Sequence, residues 1–259
     1  MLAPMFRAVR RRSSVVVAVR TVFLVALAAV ALSSCSGSAV PADYDSTGID
    51  ELTIPTPTLD PAALSDDVDN PWLPLVPGTS WRYERTADGG PAGTSVVTVL
   101  RRGATVGGVD GVVTLTLDRD AYGDVVATAR RTYAEDGDGN VWLLAEEVTR
   151  DGRTESWQAG SDGALAGLAM PAEPRPGDGW VRAEVPRVDV PSERVLAVGD
   201  DRVEVPAGSW TDVLQTEVVE PGERRTSVLL YARGVGLVQA EDDGGGEATV
   251  LVALTAPGD

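Results

Sequence analysis

From about residue 71 onward, apolar and polar residues alternate in short runs, and no stretch keeps helical spacing for three turns. Val113, Leu115 and Leu117 alternate with Thr114, Thr116 and Asp118, the period-two pattern of a strand with one buried face. Turn-forming clusters interrupt these runs at short intervals: Asp88-Gly89-Gly90, Gly107-Gly108, Asp110-Gly111, Gly123-Asp124, Asp136-Gly137-Asp138-Gly139-Asn140 and Asp151-Gly152. The segments between them are rich in Val, Thr, Leu, Tyr and Trp. Further strands are expected near 194–198, 202–205, 211–219, 226–232 and 248–255, with 242–246 as a hairpin tip. The fold class is therefore all-β: one or more curved antiparallel sheets in a meander, half-barrel or sandwich-like.

The later part of the chain repeats the earlier part weakly. Pro77-Gly78-Thr79-Ser80-Trp81 finds a counterpart in Pro176-Gly177-Asp178-Gly179-Trp180, and Tyr133-Ala134 finds one in Tyr231-Ala232. The two matches keep nearly the same offset, which predicts duplicated halves near 76–158 and 175–255. Between the halves lies 159–171, apolar for a loop and poor in strand formers. It is expected either to plug the interior of the curved sheet or to line the mouth of a cavity, because exposed apolar loop surface is a liability.

The first 34 residues follow a different pattern. Five arginines (Arg7, Arg10, Arg11, Arg12, Arg20) precede an apolar run over 21–32 that is too short to span a bilayer, the layout of an export signal. The run ends in Leu32-Ser33-Ser34-Cys35, which resembles the lipobox of bacterial lipoproteins, and Cys35 is the only cysteine. The resemblance implies cleavage after Ser34 and a diacylglycerol thioether on Cys35, holding the protein on the extracytoplasmic face of the cell membrane. Residues 35–70, rich in Ser, Pro, Thr and Asp, are expected to form a disordered tether, with one helical turn near 62–68 and a single β-rich domain following at 71–259. Arg11-Arg12 leaves the export route open between the general and the twin-arginine pathways.

Composition narrows the chemistry. The chain has 39 acidic and 22 basic residues and a net charge of −17, which disfavours nucleic acid as a partner. It contains no histidine, and every basic residue is an arginine. Histidine bases, Schiff-base lysines and zinc sites built from histidine or cysteine are thus excluded, and no cofactor is expected. Carboxylates alone can cleave glycosides, so a carboxylate-dependent hydrolase stays open as an alternative. Asp136, Asp138, Asn140 and Glu147 stand at calcium-loop spacing, but Val141 replaces the glycine such a loop needs, and a hairpin turn explains the acids without a metal. Both phenylalanines, Phe6 and Phe23, fall in the signal segment, so every retained aromatic is a Trp or Tyr with a polar handle. Trp81, Trp142, Trp180 and Trp210 are expected in the core, and Trp72, at the entrance to the domain, is the candidate for exposure.

Several stretches resemble an uncharacterised group of exported bacterial proteins and lipoproteins: 70–81, Asp138-Gly139-Asn140-Val141-Trp142, Ser156-Trp157-Gln158-Ala159-Gly160, Val205-Pro206-Ala207-Gly208-Ser209-Trp210 and 231–238. The resemblance implies the β fold and an envelope location and brings no activity with it. A looser likeness in strand rhythm to curved-sheet lipoprotein carriers is one of fold. The expected function is a non-catalytic binding or carrier module for an apolar or amphiphilic ligand, and the alternative to it is a module presenting a rigid β surface around Trp72 to an envelope partner. A Cys35→Ser chain is expected to incorporate no labelled palmitate and to leave the membrane fraction; retention there would refute the lipid anchor.

Overall fold

The alternation read from the sequence becomes structure in β2 (Ser80–Ala87), where Trp81 and Tyr83 are buried while Arg82 and Glu84 are exposed. The molecule is seen in a computed structural model that describes residues 56–199, 202–220 and 226–258. The first half runs from β1 (Leu64–Ser65) and β2 through β3 (Gly90–Val99), β4 (Ala104–Val106), β5 (Val109–Arg119), β6 (Val125–Asp136), β7 (Val141–Arg150) and β8 (Arg153–Gln158). A short β9 (Gly167–Met170) leads to the second half: β10 (Gly179–Val181), β11 (Ser192–Gly199), β12 (Val203–Val205), β13 (Gly208–Trp210), β14 (Val213–Val219), β15 (Thr226–Ala232), β16 (Gly236–Asp242) and β17 (Glu247–Thr255). No helix occurs among the described residues.

Fifteen of these strands form one antiparallel sheet whose main path is β10-β11-β14-β15-β16-β17-β2-β3-β5-β6-β7-β8. Strands adjacent in sequence pair through tight turns, as at Asp88-Gly89 and Asp151-Gly152, where all four residues take positive φ. The two halves meet where the last strand, β17, pairs with β2 over Glu247–Thr255. β12 and β13 form a separate hairpin on the connection between β11 and β14. β8 and β10, at the two ends of the path, do not pair, so the sheet is not closed into a barrel.

The halves repeat in detail. Gly78 donates its N–H to the Val99 carbonyl (2.8 Å), and Val99 donates to the Thr79 carbonyl (2.9 Å). In the second half Gly177 donates to Val195 (2.9 Å) and Val195 to Asp178 (2.8 Å). Gly78 and Gly177 have φ of +97° and +94°, a left-handed geometry that favours glycine. A bulge falls between Thr132 and Tyr133 in the first half and between Leu230 and Tyr231 in the second. The same register thus equates Trp81 with Trp180, Val99 with Val195 and Tyr133 with Tyr231.

The core fills the inner face of the sheet, with Trp81, Trp142, Trp180, Leu214 and Leu251 among its buried members, whereas Trp210 is only partly buried. The Trp81 indole donates to the Val235 carbonyl (2.7 Å) and that of Trp142 to Asp136 Oδ2 (2.8 Å), while the buried N–H of Trp180 has no partner. The domain also begins earlier than its tether-like composition implies. Leu64 and Val68 are buried in the same cluster as Val106 and Val109, Leu59 packs against it, and β1 pairs with the end of β6 where a helical turn was expected. Among the described residues, every strand and every core residue lies within 59–255, so this unit carries its own hydrophobic core.

The apolar segment between the halves is the plug. Ala159, Ala164, Ala166, Leu168 and Met170 are buried, and β9 pairs with the start of β7. Gly167 lies so close to the Arg182 carbonyl that a Cβ there would collide with backbone. Gly167→Ala is expected to cost about 1–3 kcal/mol by forcing β9 off its neighbours, read as a lowered midpoint in thermal unfolding followed by calorimetry.

Candidate functional site

Beneath β9 the inner face of the sheet opens into a cleft of about 530 Å³. Ala169 and Met170 form part of its wall, with Leu73, Leu143 and Val148 beside them. The segment 182–191, which connects β10 to β11, forms another wall through Val185 and Val188. Tyr133 of β6 and Tyr231 of β15 both line the cleft. Those strands stand six steps apart along the sheet, roughly 29 Å if it were flat, so their meeting measures how far the sheet curls.

Two arginines are fixed in this apolar setting. Arg131 of β6 donates through Nε and Nη2 to Oε1 of Glu146 on β7, each at 2.6 Å, and the two residues are directly paired across the strands. Arg182 donates through Nε to Oε2 of Glu193 (2.9 Å), whose side chain is fully buried. Glu193 also accepts from the Thr216 hydroxyl at Oε1 (2.6 Å) and lies 3.4 Å from the Tyr231 hydroxyl. The Glu193 charge raises the pKa of Arg182 against the opposing effect of burial, so the guanidinium stays protonated. Burial raises the pKa of both Tyr133 and Tyr231, and at Tyr231 the Glu193 charge adds to it; both hydroxyls stay neutral and able to donate. The other acids of the cleft, Glu155, Asp189 and Glu220, are exposed.

The residues singled out by sequence fall in different places. Cys35 lies outside the described residues. Trp72 is not exposed: it is buried to 1% accessibility, with the Arg233 guanidinium 4.8 Å from its ring centroid, and the expected patch around it is absent. The calcium-like set is not brought together, because Glu147 lies six residues along β7 from Val141, about 20 Å from the turn at strand rise. The loop 159–171, expected as either plug or cavity mouth, is both, with Ala166 and Leu168 inward and Ala169 on the cleft. The two arginine–glutamate pairs were missed. One signal for them was present: Glu193 and Val195 share a face of β11, so an acid sits on the apolar side.

Asp136 serves the β6–β7 hairpin itself. It accepts from the Asn140 and Asp138 backbone and from the Asn140 side chain, besides the Trp142 indole. Burial alone would raise its pKa, but these donors outweigh burial and hold it below the usual carboxylate range. Asn70 ties the chain entering the domain to the same corner, donating to the Gly139 and Pro171 carbonyls, while Glu135 accepts from the Asp69 and Asn70 backbone.

No family model and no curated protein matches this chain. Among solved structures it is similar to a candidate exported protein of Bacteroides fragilis with a YmcC-like fold, at a TM-score of 0.44 and 14% identity over 71% of this chain and 99% of that one. It is also similar to a candidate lipoprotein of Parabacteroides distasonis, at 0.41 and 12% over 71% and 98%.

Because the folded pKa of Asp136 is depressed, its contribution to stability is present above the ordinary aspartate pKa and is lost as pH falls through the folded value. Asp136→Asn is expected to destabilise the protein at neutral pH by about 1–2 kcal/mol through lost charge-assisted hydrogen bonds. The difference from wild type should shrink in denaturant titrations below about pH 4, near the reference aspartate value, and a constant difference across that range would refute the assignment.

Proposed function

We propose that this domain is a non-catalytic binding or carrier module for an apolar or amphiphilic ligand, held at the outer face of the membrane by lipid on Cys35. The observation that carries the proposal is the cleft under β9. Its volume of about 530 Å³ falls within the usual range for small-molecule sites, and its wall combines aliphatic side chains with a few fixed polar groups. The reading as a carrier rather than a hydrolase is supported by the state of the acids nearest the arginines. Glu146 and Glu193 are each committed to a guanidinium, which leaves neither free as a proton donor. The second expectation, a protein-docking surface around Trp72, loses its support with the burial of that residue.

The test is native mass spectrometry of residues 36–259, purified from the source bacterium without detergent and compared with the denatured mass. A reproducible excess mass that disappears on denaturation is expected. Ala169→Trp, which places an indole in the cleft, should abolish the excess while the circular dichroism of the domain is kept. A clean unliganded mass for the wild-type protein would overturn the carrier proposal.

A further inference from the structure

The internal duplication offers a control for the buried charge. Trp81 pairs with Val97 in the first half and Trp180 pairs with Glu193 in the second, so Glu193 stands where the other half has Val97. Two residues further on, Tyr83 pairs with Ser95, and Arg182 donates its N–H to the Pro191 carbonyl in the same register. Arg182 therefore stands where the other half has Tyr83. One copy of the motif fills these inner positions with Tyr and Val, and the other fills them with an arginine and a glutamate.

A buried ion pair seldom stabilises a fold better than apolar residues of similar size, and its desolvation costs several kcal/mol. Here the protein itself shows that the motif folds with Tyr and Val. Packing thus gives no reason for the Arg182–Glu193 pair, and its placement does: Arg182 lines the cleft with the buried Glu193 holding it from behind, whereas Val97 and Tyr83 do not line it. Glu193, clamped by Thr216 and close to the Tyr231 hydroxyl, takes the Nε side of Arg182. Among the described residues nothing accepts from the two terminal nitrogens of that guanidinium, which lines the cleft. Arg131 repeats the arrangement, with Nε and Nη2 held by Glu146 and no acceptor for Nη1 among the described residues. Guanidinium groups with fixed orientation and unfilled donors match carboxylate and phosphate oxygens. The tyrosine hydroxyls are neutral and add no competing negative charge.

Resting on the carrier reading, we infer that the cleft binds an amphiphile with an oxyanion head, carboxylate or phosphate. Arg182 and Arg131 bind the head, Glu193 positions Arg182, and the tail lies along the Leu73, Leu143, Val148 and Val185 wall. The exposed acids Glu155, Asp189 and Glu220 keep free small anions at a distance, so the tail is needed for binding.

The test uses calorimetric titration of residues 36–259 with dodecyl phosphate, dodecanoate, dodecanol and inorganic phosphate, all below micelle-forming concentration. The wild-type domain should bind the two anionic amphiphiles at least tenfold more tightly than dodecanol and should not measurably bind inorganic phosphate. Arg182→Gln should reduce the preference to within about threefold. The double variant Arg182→Tyr with Glu193→Val, which copies the first half, should lose the preference equally and keep or raise the thermal midpoint. If it does not fold, the double variant Arg182→Gln with Glu193→Gln, which leaves no unpaired charge at the buried Glu193 position, still decides the matter. Equal wild-type affinity for dodecanol and dodecyl phosphate would overturn the head assignment and leave the carrier reading standing. Failure of all three amphiphiles to bind would overturn both. Inorganic phosphate binding as tightly as dodecyl phosphate would replace the amphiphile with a small anion, and a preference unchanged in both variants would remove Arg182 and Glu193 from the site.

Discussion

Two half-sheets, each with one apolar face, cannot bury those faces unless the sheet curls until the halves look at each other. The rest of the molecule follows from that requirement. Curling brings Tyr133 and Tyr231 to one cleft and leaves β8 and β10 near the seam without pairing them. The seam is then covered by connecting chain instead of by a strand ladder. Leu165 bridges to Glu184, β9 lies against the start of β7, and the apolar residues of 159–171 complete the interior. A cavity persists where this cover is thinnest, because a short strand and a loop cannot fill the width that a full pair of strands would.

The curled sheet is also where duplication stops being symmetric. Several equivalent positions keep their chemistry: both glycines of the entry turns, both valines that close them, and Thr114 and Thr216, each buried opposite its valine on the adjacent strand. Beside the cleft the copies depart from each other in both directions: Arg182 and Glu193 replace Tyr83 and Val97, and Arg131 with Glu146 stands where the second half has Leu229 with Ala240. A duplicated fold thus separates what the architecture requires from what one copy has acquired, since whatever both halves share is sufficient for folding.

The strands and turns were legible because their causes are local. Alternation over 113–118, and glycine or aspartate at left-handed turn positions such as Asp88 and Gly89, need no knowledge of distant chain. The duplication was legible from a few residues because Pro-Gly and Trp occupy positions that fix turn and core together. What escaped depended on partners far away in sequence. Trp72 read as exposed because its immediate neighbours are prolines and leucines in a turn, whereas its cover comes from Arg233. Leu59, Leu64 and Val68 read as a spacer because they are isolated among acids and show no period, yet each fills a gap left by the first half. The ion pairs of the cleft join residues on different strands. Glu193 was marked by its place on the apolar face of β11, but only the second copy of the motif gives that mark a meaning.

The pairing of β17 with β2 has a temporal side. The strand that joins the halves is the last to be synthesised, and β2 is among the first. Until residues 247–255 are available, the first half presents an unpaired edge and the second has no neighbour for β16, the kind of exposed edge that invites association with other chains. Contacts of such long sequence separation also form slowly, because the loop they close must be ordered first. A chain threaded through a membrane from its N-terminus would deliver the joining strand last, so the sheet would assemble only after nearly the whole polypeptide had emerged on the far side.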